Sequence, residues 1–106
     1  MLTVKERKMV ATFMGRSPQT DGISWFDENY KVLKYDDWNT VMPVINKISS
    51  GHHKVSIVSD GDYEYCEILC YNNGELSKEI QCDGVSLVYA TLRAALEFIK
   101  WYYENE

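Results

Sequence analysis

Apolar residues recur along this chain with two spacings, one helical and one alternating. In the first segment Leu2, Glu6, Met9 and Phe13 fall on one helical stripe, with Val10 and Met14 beside it. Gly15 offers a C-terminal cap and Ser17-Pro18 prevents continuation, so an amphipathic helix is predicted from about residue 3 to 14. Two short β-type runs follow, Ile23–Phe26 and Tyr30–Tyr35, joined by the polar turn Asp27-Glu28-Asn29, and a small hairpin is expected there. Asp36 or Asp37 can cap the next segment, in which Val41, Val44, Ile45 and Ile48 share one helical face. Pro43 lies too deep for the usual first-turn proline, which predicts a tight or kinked start, and Gly51 closes the helix.

The spacing then switches to alternation. Lys54–Ser59 reads as a strand, Asp60-Gly61 as a two-residue hairpin loop, and Tyr63–Tyr71 as the return strand. Asn72-Asn73-Gly74 suits a three-residue loop leading into a strand over about Leu76–Cys82. With those loops Val55 faces Cys66, Ile57 faces Glu64, Cys70 faces Leu76 and Cys66 faces Ile80. One sheet face then collects Val55, Ile57, Cys66, Ile68, Cys70, Leu76, Ile80 and Cys82. A two-residue loop at Asn73-Gly74 would turn Leu76 and Ile80 away from that set, because a one-residue slip exchanges faces; the three-residue loop is therefore preferred. The other face reads Val58, Tyr63, Tyr65, Glu67, Leu69, Tyr71, Ser77, Glu79 and Gln81, with Glu67 set across from Glu79.

The last segment, from about Val85 to Glu104, predicts a long helix with a narrow polar stripe of Ser86, Arg93, Glu97, Lys100 and Glu104. Val88, Leu92, Ala95, Leu96, Ile99 and Tyr102 or Tyr103 cover one side. Ala94, Phe98 and Trp101 extend the apolar arc beyond what one sheet face needs, so this helix is either the centre of the core or half of an interface. Together these elements predict a single α+β domain over residues 1–106, an antiparallel sheet layered with helices in the order α-β-β-α-β-β-β-α.

Composition sharpens the picture. A chain of 106 residues has room for one core, burying roughly 65% of the surface its unfolded form exposes. Three tryptophans, eight tyrosines and three phenylalanines oppose disorder. A net charge of -5 repels a phosphate backbone, so no nucleic-acid partner is expected, and the small basic group Lys5, Arg7 and Lys8 reads as a solvated helix face. The opening MLTVKERKMV lacks the apolar run of a secretory signal, and Arg93, Glu97 and Lys100 interrupt the most apolar stretch, so the expectation is a cytoplasmic protein and no membrane.

Candidate chemistry is sparse. Three cysteines without a secretion signal suggest free thiols; Cys66 and Cys70, four strand residues and about 13 Å apart, exceed the roughly 7 Å limit for a disulfide. Adjacent His52 and His53 point apart on an extended backbone and read as solvated turn residues, and neither a metal site nor a cofactor is expected. No Gly-rich phosphate loop, G-x-S-x-G or H-E-x-x-H motif occurs. The sharpest enzymatic candidate is the carboxylate pair Glu67 and Glu79, which could divide acid and base duties in a small hydrolase; the plain alternative is two solvated glutamates. Tyr63, Tyr65 and Tyr71, with Phe98 and Trp101, are candidate partner-binding residues, because aromatic side chains give rigid amphipathic contact area. Base stacking on these rings is opposed by Glu64, Glu67, Glu75 and Glu79.

The segments KMVATFMG, DDWNTVMPVINKI and ALEFIKWYYENE, in that order, resemble small uncharacterised proteins of gut Bacteroidetes and their phages, the group described as the phage ABA-sandwich domain. The resemblance implies an αβα-sandwich-like fold encoded by a phage or prophage, and carries no functional residue with it. The function expected from the whole reading is a non-enzymatic accessory protein that binds an unknown protein partner, or a second copy of itself as a homodimer.

Overall fold

A computed structural model describes residues 2–15, 17–18, 25–26, 37–84 and 86–105. Helix α1, Val4–Phe13, begins at a reciprocal cap: the Glu6 N–H donates to the Thr3 hydroxyl at 3.1 Å, and the Thr3 N–H donates to Glu6 Oε1 at 3.0 Å. It ends where Gly15 takes φ 71°, a left-handed conformation that costs glycine little. Strands β1, Ser17–Pro18, and β2, Trp25–Phe26, pair antiparallel, Ser17 with Phe26 and Pro18 with Trp25. The expected partner of Ile23–Phe26, residues 30–35, lies outside the described residues; the described partner is upstream.

Helix α2, Trp38–Ser50, starts on Asp37, whose carboxylate accepts from the Asn39 N–H at 2.9 Å. The N–H groups of Thr40 and Val41 both donate to the Asp37 carbonyl, the tight start predicted from Pro43, which lies inside the helix. Gly51 is the C-cap, but the left-handed residue is the next one, His52 at φ 71°.

Strands β3, Lys54–Asp60, β4, Tyr63–Asn72, and β5, Glu75–Asp83, form an antiparallel sheet in the order β3-β4-β5. Two registers differ from expectation. The first loop is Gly61-Asp62, so Val55 faces Ile68 and Ile57 faces Cys66. That is a slip of two, which leaves every side chain on its expected face. Gly61 at φ 57° occupies the first loop position, where a type II′ turn needs a positive φ.

The second difference is larger. The loop is the two-residue Asn73-Gly74, with φ 56° and 81°, and a β-bulge follows where Tyr71 faces Leu76 but Cys70 faces Lys78. Both loop residues are left-handed, as a type I′ turn requires, and asparagine and glycine are the residues that tolerate it. The bulge absorbs one residue of β5 and restores the parity of everything beyond it. Ile80 therefore faces Ile68 and is buried, and Cys82 faces Cys66, whereas Leu76, on the loop side of the bulge, is 50% exposed. Leu76 is thus lost from the expected core.

Helix α3, Leu87–Glu104, is capped by Ser86, whose hydroxyl accepts from the Tyr89 N–H at 3.2 Å. It lies across β4 and β5 on the face of Cys66, Ile68, Cys70 and Ile80, and touches α1 and α2 as well. Nine of its residues are buried, among them Ala90, Ala94, Ala95, Leu96, Phe98 and Ile99. Buried Thr91 turns its hydroxyl back onto the Leu87 carbonyl at 2.8 Å, so the one buried polar side chain there is satisfied.

Two polar ties fix the helices. Glu6, on the apolar stripe of α1, meets Arg93 of α3 at 2.7 Å, which explains a carboxylate in that position. Its proton affinity is lowered by the Thr3 N–H first and by Arg93 in addition, against the opposing effect of burial. Lys47 of α2 donates to the Phe13 carbonyl at the α1 C-terminus and lies 4.8 Å from the Phe13 ring centroid.

The bulge separates two leucine-sized positions on one strand. Ile80→Ala is expected to cost about 2–5 kcal/mol, and Leu76→Ala about 0.5 kcal/mol or less. Urea unfolding of both variants checks this; similar losses would place Leu76 in the core and remove the bulge.

Candidate functional site

The register decides what the outer sheet face carries. With Cys66, Ile68 and Cys70 turned to α3, β4 presents Tyr63, Tyr65, Glu67, Leu69 and Tyr71 on the other side. Beside them lie Lys54, Ser56, Val58 and Asp60 of β3 and Leu76, Glu79, Gln81 and Asp83 of β5. Tyr63 is 69% exposed, while Tyr65, Leu69, Tyr71 and Val58 are partly buried by their neighbours. Among the described residues no helix or strand packs on this face. The second covering layer that a sandwich would need is thus not among them.

Negative charge dominates the face. Asp60, Glu67, Glu79 and Asp83 stand against Lys54 alone. At the Gly61-Asp62 end it deepens into an open groove of about 720 Å³, lined by Asp62, Tyr63, Glu64, Tyr65, Gln81 and Asp83 among others. Asp62, Asp83 and two phenol rings border it, a combination suited to ammonium or guanidinium groups.

Several expected site residues change place. Glu67 faces Gln81 on one side and Ser56 on the other, and Glu79 faces Leu69. The two carboxylates share the face diagonally rather than directly opposite, because the bulge moves β5 along β4 beyond the expected register. Phe98 and Trp101, 1% and 8% exposed, are buried in the domain's own core. Phe98 meets Phe13 of α1 edge-on at 6.1 Å, and Phe98 and Trp101 both meet His53, so neither of these two presents a surface to a partner. Of the five aromatic candidates, Tyr63, Tyr65 and Tyr71 remain on one accessible face.

His53 departs from the solvated turn residue that was expected; His52 is exposed. Its ring packs edge-on against Phe98 at 4.7 Å and Trp101 at 5.7 Å, and its Nδ1 accepts from the Tyr71 N–H at 3.1 Å. That bond puts the proton of the neutral ring on Nε2. A cavity of about 140 Å³ opens between His53, Tyr71, Asn72, Trp101, Tyr102 and Asn105. Burial lowers the His53 pKa from its ordinary 6.5, and neighbouring His52 adds to the effect. The helical spacing of the terminal segment offered no hint of this ring, because its partners come from 18 to 48 residues away along the chain.

Cys66, Cys70 and Cys82 are free thiols. Burial pushes Cys66 and Cys70 up to about 11 and raises Cys82 as well, so all three stay protonated and weakly nucleophilic near neutral pH. Their place is in the core beneath α3.

Among the described residues no three His, Cys, Asp or Glu side chains gather as metal ligands, and no helix is long and apolar enough to cross a membrane. Comparison with protein-family models, with curated proteins and with solved structures found no match.

A depressed histidine pKa makes the unfolded chain take up the proton first, so stability is full above about pH 6.5 and falls as the pH drops towards the lower folded value. His53→Gln is expected to flatten that part of the stability curve. Urea unfolding of both proteins at about pH 7.5 and pH 5 reads the effect; an equal loss in the variant would assign the slope to other groups.

Proposed function

We propose that this protein is a non-enzymatic protein-binding module, a phage- or prophage-associated accessory protein that works in the cytoplasm of its bacterial host. The observation that carries the reading is the outer sheet face. Tyr63, Tyr65 and Tyr71 line it with Leu69 and Val58, and no described element covers it. Tyrosine combines a broad apolar ring with a polar tip and loses little side-chain entropy on docking, which is why it is enriched where proteins meet. The acidic rim of Asp60, Glu67, Glu79 and Asp83 supports a protein partner over a nucleic acid, whose phosphates it would repel. The phage or prophage origin rests on the resemblance carried by KMVATFMG, DDWNTVMPVINKI and ALEFIKWYYENE.

The test uses the tagged full chain as bait in a lysate of the bacterium that carries the gene, beside a Tyr63→Ser, Tyr65→Ser double variant. A protein held by the wild type and lost from the variant is expected. Nothing retained, or equal retention by both baits with the variant still folded, would overturn the reading.

A further inference from the structure

The sheet has two edges, and they differ. Helix α2 packs beside β3, whereas β5 has no strand on its outer side among the described residues. The direction of the free backbone groups follows from β4. Asp60 and Tyr63 flank a two-residue loop, the place of a hydrogen-bonded pair, so odd-numbered residues of β4 aim their N–H and C=O groups at β3. The Tyr71 N–H, bonded to His53 immediately ahead of β3, points the same way. Even-numbered residues of β4 therefore serve β5, and their partners are Lys78, Ile80 and Cys82. Glu79, Gln81 and Asp83 are left with N–H and C=O groups aimed outward.

We propose that the outer edge of β5 takes up an extended segment of a partner protein, bearing lysine or arginine at alternate positions, as a fourth strand of the sheet. This rests on the protein-binding reading above and names the mode and chemistry of that binding. An unpaired edge is a template for strand addition: the main chain supplies the hydrogen bonds, and alternate side chains supply the choice of partner.

Charge selects the occupant. Side chains of an added strand that project onto the tyrosine face meet Glu79, Gln81 and Asp83, and Asp83 sits across from Tyr65 at the mouth of the acidic groove. A guanidinium or ammonium group there gains a carboxylate and a ring face together. Lys78, the one cation of β5, lies on the opposite face. A second copy of this chain fits poorly. Two β5 strands paired antiparallel about Gln81 would set Glu79 against Asp83 of the other copy twice over, and paired about Glu79 they would oppose the two Glu79 carboxylates, like charges that destabilise the pair; paired about Ile80 they would set Glu79 against Gln81 and give neither carboxylate a cation. The net charge of -5 acts in the same direction.

The experiment measures fluorescence polarisation of a labelled peptide of about eight residues that alternates arginine and threonine, titrated with the full chain. The matching peptide with glutamate in place of arginine is the control. Gln81→Pro removes one outward N–H without touching the bonds to β4 and without changing charge, so it separates strand addition from general attraction to an acidic surface. The Glu79→Gln, Asp83→Asn double variant tests the charge choice and stands in if Gln81→Pro does not fold by circular dichroism.

The arginine peptide is expected to bind, the glutamate peptide to bind at least about ten-fold more weakly, and each folded variant to lose about ten-fold in affinity for the arginine peptide. Equal affinity for both peptides, no binding of either, or wild-type affinity in a folded variant would overturn the proposal. Tyrosine-dependent capture of a protein, with no response to the arginine peptide, would sink this inference alone and leave the protein-binding reading standing.

Discussion

Helix α3 has to satisfy two sets of neighbours at once. Its polar stripe is confined to Arg93, Glu97, Lys100 and Glu104, and nine of its eighteen residues are buried. The strands beneath it supply Cys66, Ile68, Cys70 and Ile80, and helices α1 and α2 supply Phe13, Val10, Val41, Val44 and Ile48, all in one continuous core. Small residues at Ala90, Ala94 and Ala95 alternate with Leu96, Phe98 and Ile99, which is how a helix fills space on both sides without voids. Because a single helix does this work on a single sheet face, the three described helices are drawn to that side. Among the described residues the opposite face relies on its own side chains, and tyrosine with a few carboxylates is a composition that water tolerates.

The helices were legible because their periodicity and caps reinforce each other: Thr3 with Glu6, Asp37 ahead of Trp38, and Gly15 and Gly51 at the ends. In the first hairpin the loop is Gly61-Asp62 and not Asp60-Gly61, yet the faces stand as expected, since a slip of two residues leaves them unchanged. The second differs from expectation for a physical reason. Hydrophobic alternation in β5 and the turn chemistry of Asn73-Gly74 disagree by one residue, and alternation alone predicts the three-residue loop. The chain satisfies both, taking the favoured turn and correcting parity with a bulge, and only Leu76 is sacrificed to solvent. A conflict of this kind between turn and pattern is itself the sequence signal of a bulge.

The candidate site was legible in part. Tyr63, Tyr65 and Tyr71 stand on the face the alternation assigned them, whereas Phe98 and Trp101 belong to the core, because the surplus apolar arc of α3 is covered by α1, α2 and His53. His53 could not be read from local spacing; its environment exists only once β4 and the end of α3 come together. Glu6 can stand on an apolar stripe because Arg93, from the far end of the chain, meets it there. The carboxylates Glu67 and Glu79 lose their direct opposition to the same bulge that buries Ile80.

Among the described residues the one-sided sheet has two consequences, a tyrosine face that no element covers and a β5 edge that no strand pairs. The edge can be observed directly, residue by residue, through backbone amide hydrogen exchange followed by NMR on the full chain. Slow exchange is expected at Ile80 and Cys82, bonded to β4, alternating with fast exchange at Glu79, Gln81 and Asp83. Uniform protection along all five amides would mean that something already pairs with this edge, and would contradict the account.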